Sequence, residues 1–136
     1  MKKLLLLSVL FSSLIFSCKK DNASPDQAVK NSLLGKWNQT QSGVEVPLGS
    51  PEVLSPSSGI TYEFLENGNL IITINGVSST YTWSNVDAST IKYTLGGSND
   101  IFYTIEQLDA TSLNFSFPYF QNGIAGKKYL HFTKIP

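Results

Sequence analysis

Arginine is absent from this chain of 136 residues, and cysteine, histidine and methionine occur once each. One cysteine, Cys18, excludes a disulfide framework within the chain and a Cys-rich zinc site, and the single histidine excludes a His cluster. The missing arginine removes the bidentate clamp that proteins commonly use for phosphate. Charge is sparse too: only 15% of residues are charged, and ten lysines balance ten carboxylates. With no excess of positive charge there is no footprint for nucleic acid, which is not an expected partner. The length fits one small globular domain.

The N-terminus reads as an address. Lys2 and Lys3 precede an apolar run from Leu4 to Phe16, interrupted only by serines, that stops at Ser17, Cys18, Lys19 and Lys20. This is the pattern of a secretory signal peptide, too short for a spanning helix, which needs roughly 20 apolar residues; a short uncleaved anchor is the alternative. Ile15-Phe16-Ser17-Cys18 resembles the lipobox of bacterial lipoproteins. The resemblance implies cleavage of residues 1–17 and a lipid on Cys18, with Phe16 bulkier than the residue usual at its place. Two or more acyl chains would give stable membrane anchoring. Loss of Lys2 and Lys3 leaves eight lysines against ten carboxylates. Residues 18–30, polar and with almost nothing for a core, read as a lipidated flexible tether.

Residues 31–136 carry turn signals at all-β spacing. Asn67-Gly68, Asn75-Gly76, Asn85 to Asp87, Gly96 to Asn99, Asp109-Ala110 and Asn122-Gly123 punctuate β-branched and aromatic runs. No segment of helical length has a 3.6-residue apolar period. Strands are expected near 33–41, 60–66, 70–75, 77–84, 89–95, 100–108, 111–118 and 127–135. Alternation sets the register, because a one-residue slip turns an apolar set to the wrong face. A loop at Asn67 to Asn69 sets Phe64 against Ile72 and Tyr62 against Ile74, and a two-residue turn at Asn75-Gly76 sets Ile74 against Val77 and Leu70 against Tyr81. The inward surface is then Tyr62, Phe64, Leu70, Ile72, Ile74, Val77, Tyr81 and Trp83, continued by Ile91, Tyr93 and Leu95, by Ile101, Tyr103 and Ile105, by Leu113, Phe115 and Phe117, and by Leu130 and Phe132. One-sided strands in sequence order predict an all-β fold, an eight-stranded up-and-down antiparallel barrel, with a two-sheet β-sandwich as the alternative.

The Gly35-Lys36-Trp37 triplet, the stretch from Tyr62-Glu63-Phe64 to Asn67-Gly68-Asn69, and Tyr81-Thr82-Trp83 together resemble the small lipocalin-like (calycin) lipoproteins of Gram-negative bacteria. In lipocalins the Gly-x-Trp tryptophan lies at the closed end of the barrel under a basic side chain from the last strand. The resemblance therefore implies barrel-end closure by Trp37 and Lys134, with lysine in the place where the family usually has arginine. The sequence departs from the family in leaving no room for the helix that commonly follows the last strand and in having no recognisable second lipocalin motif. The loop between the first two strands, residues 42–59, falls where lipocalins have a lid over the mouth, and its Val44, Val46, Leu48, Val53 and Leu54 favour packing over solvation.

Catalytic patterns are missing. His131 alternates out of phase with Leu130 and Phe132 and reads as a surface residue without convergent partners. No spacing brings two of Glu63, Glu66, Asp100, Glu106 and Asp109 into one cleft. Gly96 to Asp100 is a turn with no lysine-bearing helix behind it, and no nucleophile elbow occurs. No catalytic residue, metal or cofactor is expected, and enzyme is the least favoured class. The expected function is a lipid-anchored, exported outer-membrane domain that holds a small apolar or amphipathic ligand among Tyr62, Phe64, Ile72, Tyr81, Trp83, Tyr93, Tyr103 and Phe115. The alternative is an accessory lipoprotein that contacts a protein or glycan through loops. Tyr119 and Phe120, in the aromatic segment from Phe117 to Gly123, are then the candidate contacts.

Overall fold

The structure, a computed structural model, describes residues 24–97 and 99–136. The signal peptide and Cys18 lie outside the described residues. Among those described, a helix α1 (Pro25–Leu33) precedes the strands β1 (Gly35–Glu45), β2 (Val53–Pro56), β3 (Ile60–Phe64), β4 (Asn69–Ile74), β5 (Val77–Asp87), β6 (Thr90–Leu95), β7 (Asn99–Leu108), β8 (Ser112–Gln121) and β9 (Ile124–Lys134). β1 and β3 to β9 pair antiparallel in sequence order, and β9 pairs back onto β1. The fold is all-β, a closed eight-stranded up-and-down barrel with one short helix, as expected and consistent with a lipocalin-like fold. Closure removes the two edges that an open meander of one-sided strands would leave exposed.

Turn chemistry sets much of the register. Asn75 and Gly76 have φ of 50° and 83°, the left-handed pair that a two-residue hairpin turn requires. Ile74 accordingly pairs with Val77 and Leu70 with Tyr81. The preceding hairpin corrects the sequence reading. Its loop is Glu66, Asn67 and Gly68, closed by Leu65 N–H donating to Asn69 O at 2.8 Å, while Asn67 Oδ1 accepts from Asn69 N–H. Tyr62 therefore pairs with Ile72 and Phe64 with Leu70. That slide of two residues leaves each side chain on its expected face. Ile74 and Val77 keep their phase but are 52% and 72% exposed, because the hairpin tip that carries them stands at the barrel rim.

Much of the expected 42–59 loop is sheet. β1 runs on to Glu45, and β2 pairs with its residues 41–44 on the same edge where β3 pairs with residues 35–38. β2 and β3 thus form one broken partner for β1, bridged by Ser57 N–H to Thr40 O at 2.9 Å. Only residues 46–52 and 57–59 remain as connections. A bulge at Thr40 shifts the phase of β1: Gln39 faces Phe132 and Ser42 faces Leu130 across the seam, so both point inward.

The aromatic segment after Phe117 is not a loop either. β8 continues to Gln121 and pairs with β9 up to Gln121 and Ile124, turning at Asn122-Gly123 with φ of 52° and 79°. The ladder from β8 to β7 ends at Ser116. Pro118, two residues on, has no N–H to extend it and is tolerated because that edge is already unpaired.

The helix overlaps the expected tether. Ser24 caps it by accepting from Gln27 N–H at 3.3 Å, and Pro25 occupies the first turn. Ser24-Pro25-Asp26-Gln27 has the capping-box spacing. Val29 and Leu33, one turn apart, reach the core, where Leu33 is fully buried. Leu33 O accepts the Trp37 indole N–H at 2.8 Å, and Asn85 Nδ2 donates to Asp26 O. The helix thus closes the end of the barrel where β1 begins. Trp37, Phe64, Leu70, Ile91, Leu113 and Phe115 fill that half, each at most 1% exposed.

Candidate functional site: a cup at the barrel mouth

The interior divides at mid-height. In the closed half, Phe64 meets Trp83 edge-on at 5.0 Å and Phe115 at 6.2 Å, and Phe115 stacks on Tyr103 at 5.3 Å. Contacts of this geometry add about 0.5–1.5 kcal/mol each beyond burial. They leave a floor, not a cavity. Above it, at the end opposite α1, lies an open cup of about 330 Å³. Its polar lining comes from Gln39, Ser42, Ser57 and Lys128 and from Tyr62 and Tyr103. Ile60, Ile74, Phe117 and Leu130 supply the apolar wall.

The polar groups are held in place. Gln39, 5% exposed, donates through Nε2 to Ser57 Oγ at 3.0 Å. Tyr103 is hydrogen-bonded both to Tyr93, hydroxyls 3.2 Å apart, and to Tyr62, so the three phenols share two bonds and one phenolic proton remains for a further acceptor. Burial pushes the Tyr62 phenol up to about 12 and holds Tyr103 further above the ordinary phenol range. Both stay neutral donors near neutral pH. Lys128 is the cation of the cup. Among the described residues its neighbour Lys127 pairs with Glu106 at 3.5 Å and Lys92 with Asp100 at 2.8 Å, but no carboxylate lies within ion-pair distance of Lys128.

The expected ligand set is therefore split. Tyr62 and Tyr103 line the cup. Ile72 and Tyr93 are buried in the wall. Phe64, Trp83 and Phe115 belong to the packed floor, and Trp83 donates its indole N–H to Leu65 O at 3.2 Å. Tyr81 is half-buried against Tyr93, ring centres 5.7 Å apart. At the far end Lys134 stands over Trp37 with Nζ 4.9 Å from the ring centroid.

Gln39 and Lys128 were not among the expected site residues, although both were within reach of the sequence. Lys128 alternates in phase with Leu130, Phe132 and Lys134, and Gln39 follows Trp37 by two. Ser42 was not readable in this way, because the bulge at Thr40 has no sequence signature.

A second polar cluster sits outside the barrel wall. His131 Nε2 and Glu52 Oε1 are 2.7 Å apart, so His131 is partnered by the connection and not freely exposed. Tyr129 donates to Glu45 at 2.6 Å, and Glu45 also accepts from Gly49 N–H. These bonds hold the Glu45 carboxyl below its ordinary range and push the Tyr129 phenol up to about 12. Glu52 lies across Gly43, where any Cβ would overlap its carboxylate. The connection 46–52 is thus fastened to the outside of β1 and β9; it is not a lid over the cup. Tyr119 borders a groove of about 300 Å³ with Val44, Val46 and Val53, while Phe120 on the projecting β8–β9 hairpin is 68% exposed.

No group of three or more His, Cys, Asp or Glu among the described residues is placed to hold a metal, and no described helix is long and apolar enough to cross a membrane. No protein-family model matches this chain, and a search of curated proteins finds no match.

Proposed function

We propose that the protein is a lipid-anchored, non-enzymatic, lipocalin-like binding domain, exported and attached through Cys18 to the outer membrane, that holds a small amphipathic molecule in the cup at its mouth. The cup is the observation that carries this reading. About 330 Å³ is at the lower end of small-molecule pockets, roughly 300–1,000 Å³, and its lining combines an apolar wall with a few oriented polar groups. The filled floor restricts the ligand to a short body; a long chain would have to displace Phe115 and its neighbours. Lipidation rests on the lipobox resemblance at residues 15–18. Native mass spectrometry of protein purified without added ligand tests the binding reading. A co-purifying small molecule lost on Tyr103→Trp, which fills the cup, is expected; recovery of bare protein from every preparation, together with no titratable binding of small amphiphiles, would end it.

A second reading is favoured by Phe120 alone. Its ring, with half-exposed Ile124 on the same hairpin, suits contact with a protein or glycan partner. Pull-downs with Phe120→Ala and Tyr119→Ala test it, and unchanged partner recovery would count against this hairpin.

A further inference from the structure

We infer that the ligand of the cup is a small monoanion, a carboxylate on a short aryl or alkyl body, with Lys128 as its counter-ion. This rests on the reading of the cup as a ligand site and names the class of molecule it selects.

Lys128 projects into a half-enclosed space walled by Tyr62, Tyr103 and Leu130, each 7% exposed or less. An anion that enters the open cup meets this partly exposed cation with no protein carboxylate to displace. Among the described residues no carboxylate faces it. Glu45 and Glu52 bond outside the barrel to Tyr129 and His131. Glu106 lies with Ser116 and Lys127 on the outer phase of β8 and β9. Asp100 is bound by Lys92 and Thr94. Glu63 alternates between inward Tyr62 and Phe64 and so points away. The phenols of the cup do not ionise near neutral pH, so they donate and do not compete as anions. The one proton left over by the Tyr62–Tyr103–Tyr93 chain gives a carboxylate a second donor. One lysine, a point charge without arginine's fork, matches a single negative charge better than a phosphate dianion. Phe117, Ile60 and Leu130 then cover the apolar body.

Three probes with the same body and different heads test this: 3-phenylpropionate, 3-phenylpropanol and 3-phenylpropylamine. They are titrated calorimetrically into the full chain in lipid nanodiscs, with empty nanodiscs as blank. The acid is expected to bind about tenfold or more tighter than the alcohol, as for a charge-assisted over a neutral hydrogen bond, with the amine weakest. Lys128→Gln should erase the acid's advantage over the alcohol, and Lys128→Arg should keep the preference. Circular dichroism checks that both variants are folded. Equal affinities for acid and alcohol, or a preference that survives in folded Lys128→Gln, would overturn the anion inference while the cup remains a ligand site. Heat no greater than the blank for all three probes would overturn the cup reading, and the inference with it.

Discussion

Lys134 and Trp37 are direct cross-strand partners at the seam that closes the barrel, and the lysine ammonium stands 4.9 Å from the centre of the indole. A chain without arginine thus covers its closed end with the smaller, more strongly hydrated cation. The Lys134 stem also passes the backbone of Gly35, whose φ of 112° admits no ordinary side chain and where a Cβ would come within 3.2 Å of Lys134 Cε. Lys134→Met keeps the stem and removes the charge. It should cost about 0.5–2 kcal/mol in urea denaturation, whereas Lys134→Arg should hold or raise the midpoint. An unshifted midpoint for Lys134→Met would mean that the stem alone covers the ring.

The helix should behave as part of the core. Leu33→Ala removes a fully buried side chain and should cost about 2–5 kcal/mol; Ser24→Ala, by uncapping, should cost about 0.5–2 kcal/mol. In both variants exchange of the Trp37 indole proton should accelerate, because Leu33 O is its acceptor. Slow exchange and an unchanged melting curve in Leu33→Ala would detach the helix from the barrel.

The carboxyl most strongly depressed by its hydrogen bonds lies at the turn between β7 and β8. Hydrogen bonds from Thr111 N–H, the Gln107 amide and Ser112 N–H lower the Asp109 carboxyl from 3.8 to about 2. A depressed folded pKa adds stability that is present above the unfolded value and lost as pH falls toward the folded one. The window is therefore pH 4 down to pH 2. Asp109→Ala should flatten the acid limb of a stability–pH curve, with Glu45, Asp87 and Asp100, also lowered by their hydrogen bonds, carrying what remains. An acid limb of the same steepness in the variant would exclude Asp109 as a contributor.

At the alkaline end the sign reverses. Tyr62 is raised from 10.0 to about 12 chiefly by burial, and Tyr103 is raised further for the same reason. A raised folded pKa contributes stability that is complete below the unfolded value and drains away as pH rises past it. Stability should fall above pH 10, and phenolate absorbance should show a late, steep rise as the barrel opens. Tyr103→Phe should soften that rise and cost about 1 kcal/mol near neutral pH, since Tyr93 loses a partner. A gradual titration of all six tyrosines with the fold intact would refute the assignment.

Most of the barrel is legible because alternation is a local consequence of side-chain pattern and one-sided strands in sequence order favour closure over two exposed edges. The phases of Tyr62, Trp83, Tyr93, Tyr103 and Phe115 follow from period two alone, and Asn75-Gly76 states its turn outright. What escaped were features decided by backbone pairing at a distance. The Glu66 to Gly68 loop slides the β3–β4 register by two without moving any residue to another face, so no apolar pattern distinguishes the alternatives. β2 exists because the second half of β1 needs a partner, not because Val53 to Pro56 is a strong strand sequence. The helix was the most avoidable miss: Ser24, Pro25 and Gln27 announce a cap, and Val29 and Leu33 a buried stripe too short to register as a period. For Lys128 the two sequence signals conflict: charge suggests an exterior position, whereas its phase with Leu130 and Phe132 places it inside.

The position of the helix bears on the proposed anchoring at Cys18. Residues 18 to 24 bridge at most about 20 Å when fully extended, and Ser24 opens the helix that stops the closed end. On the proposed anchoring, the plugged base is moored near the bilayer and the cup is turned outward to the aqueous space. Ligand would then be exchanged with solutes or with a facing partner, and not with the membrane that holds the protein.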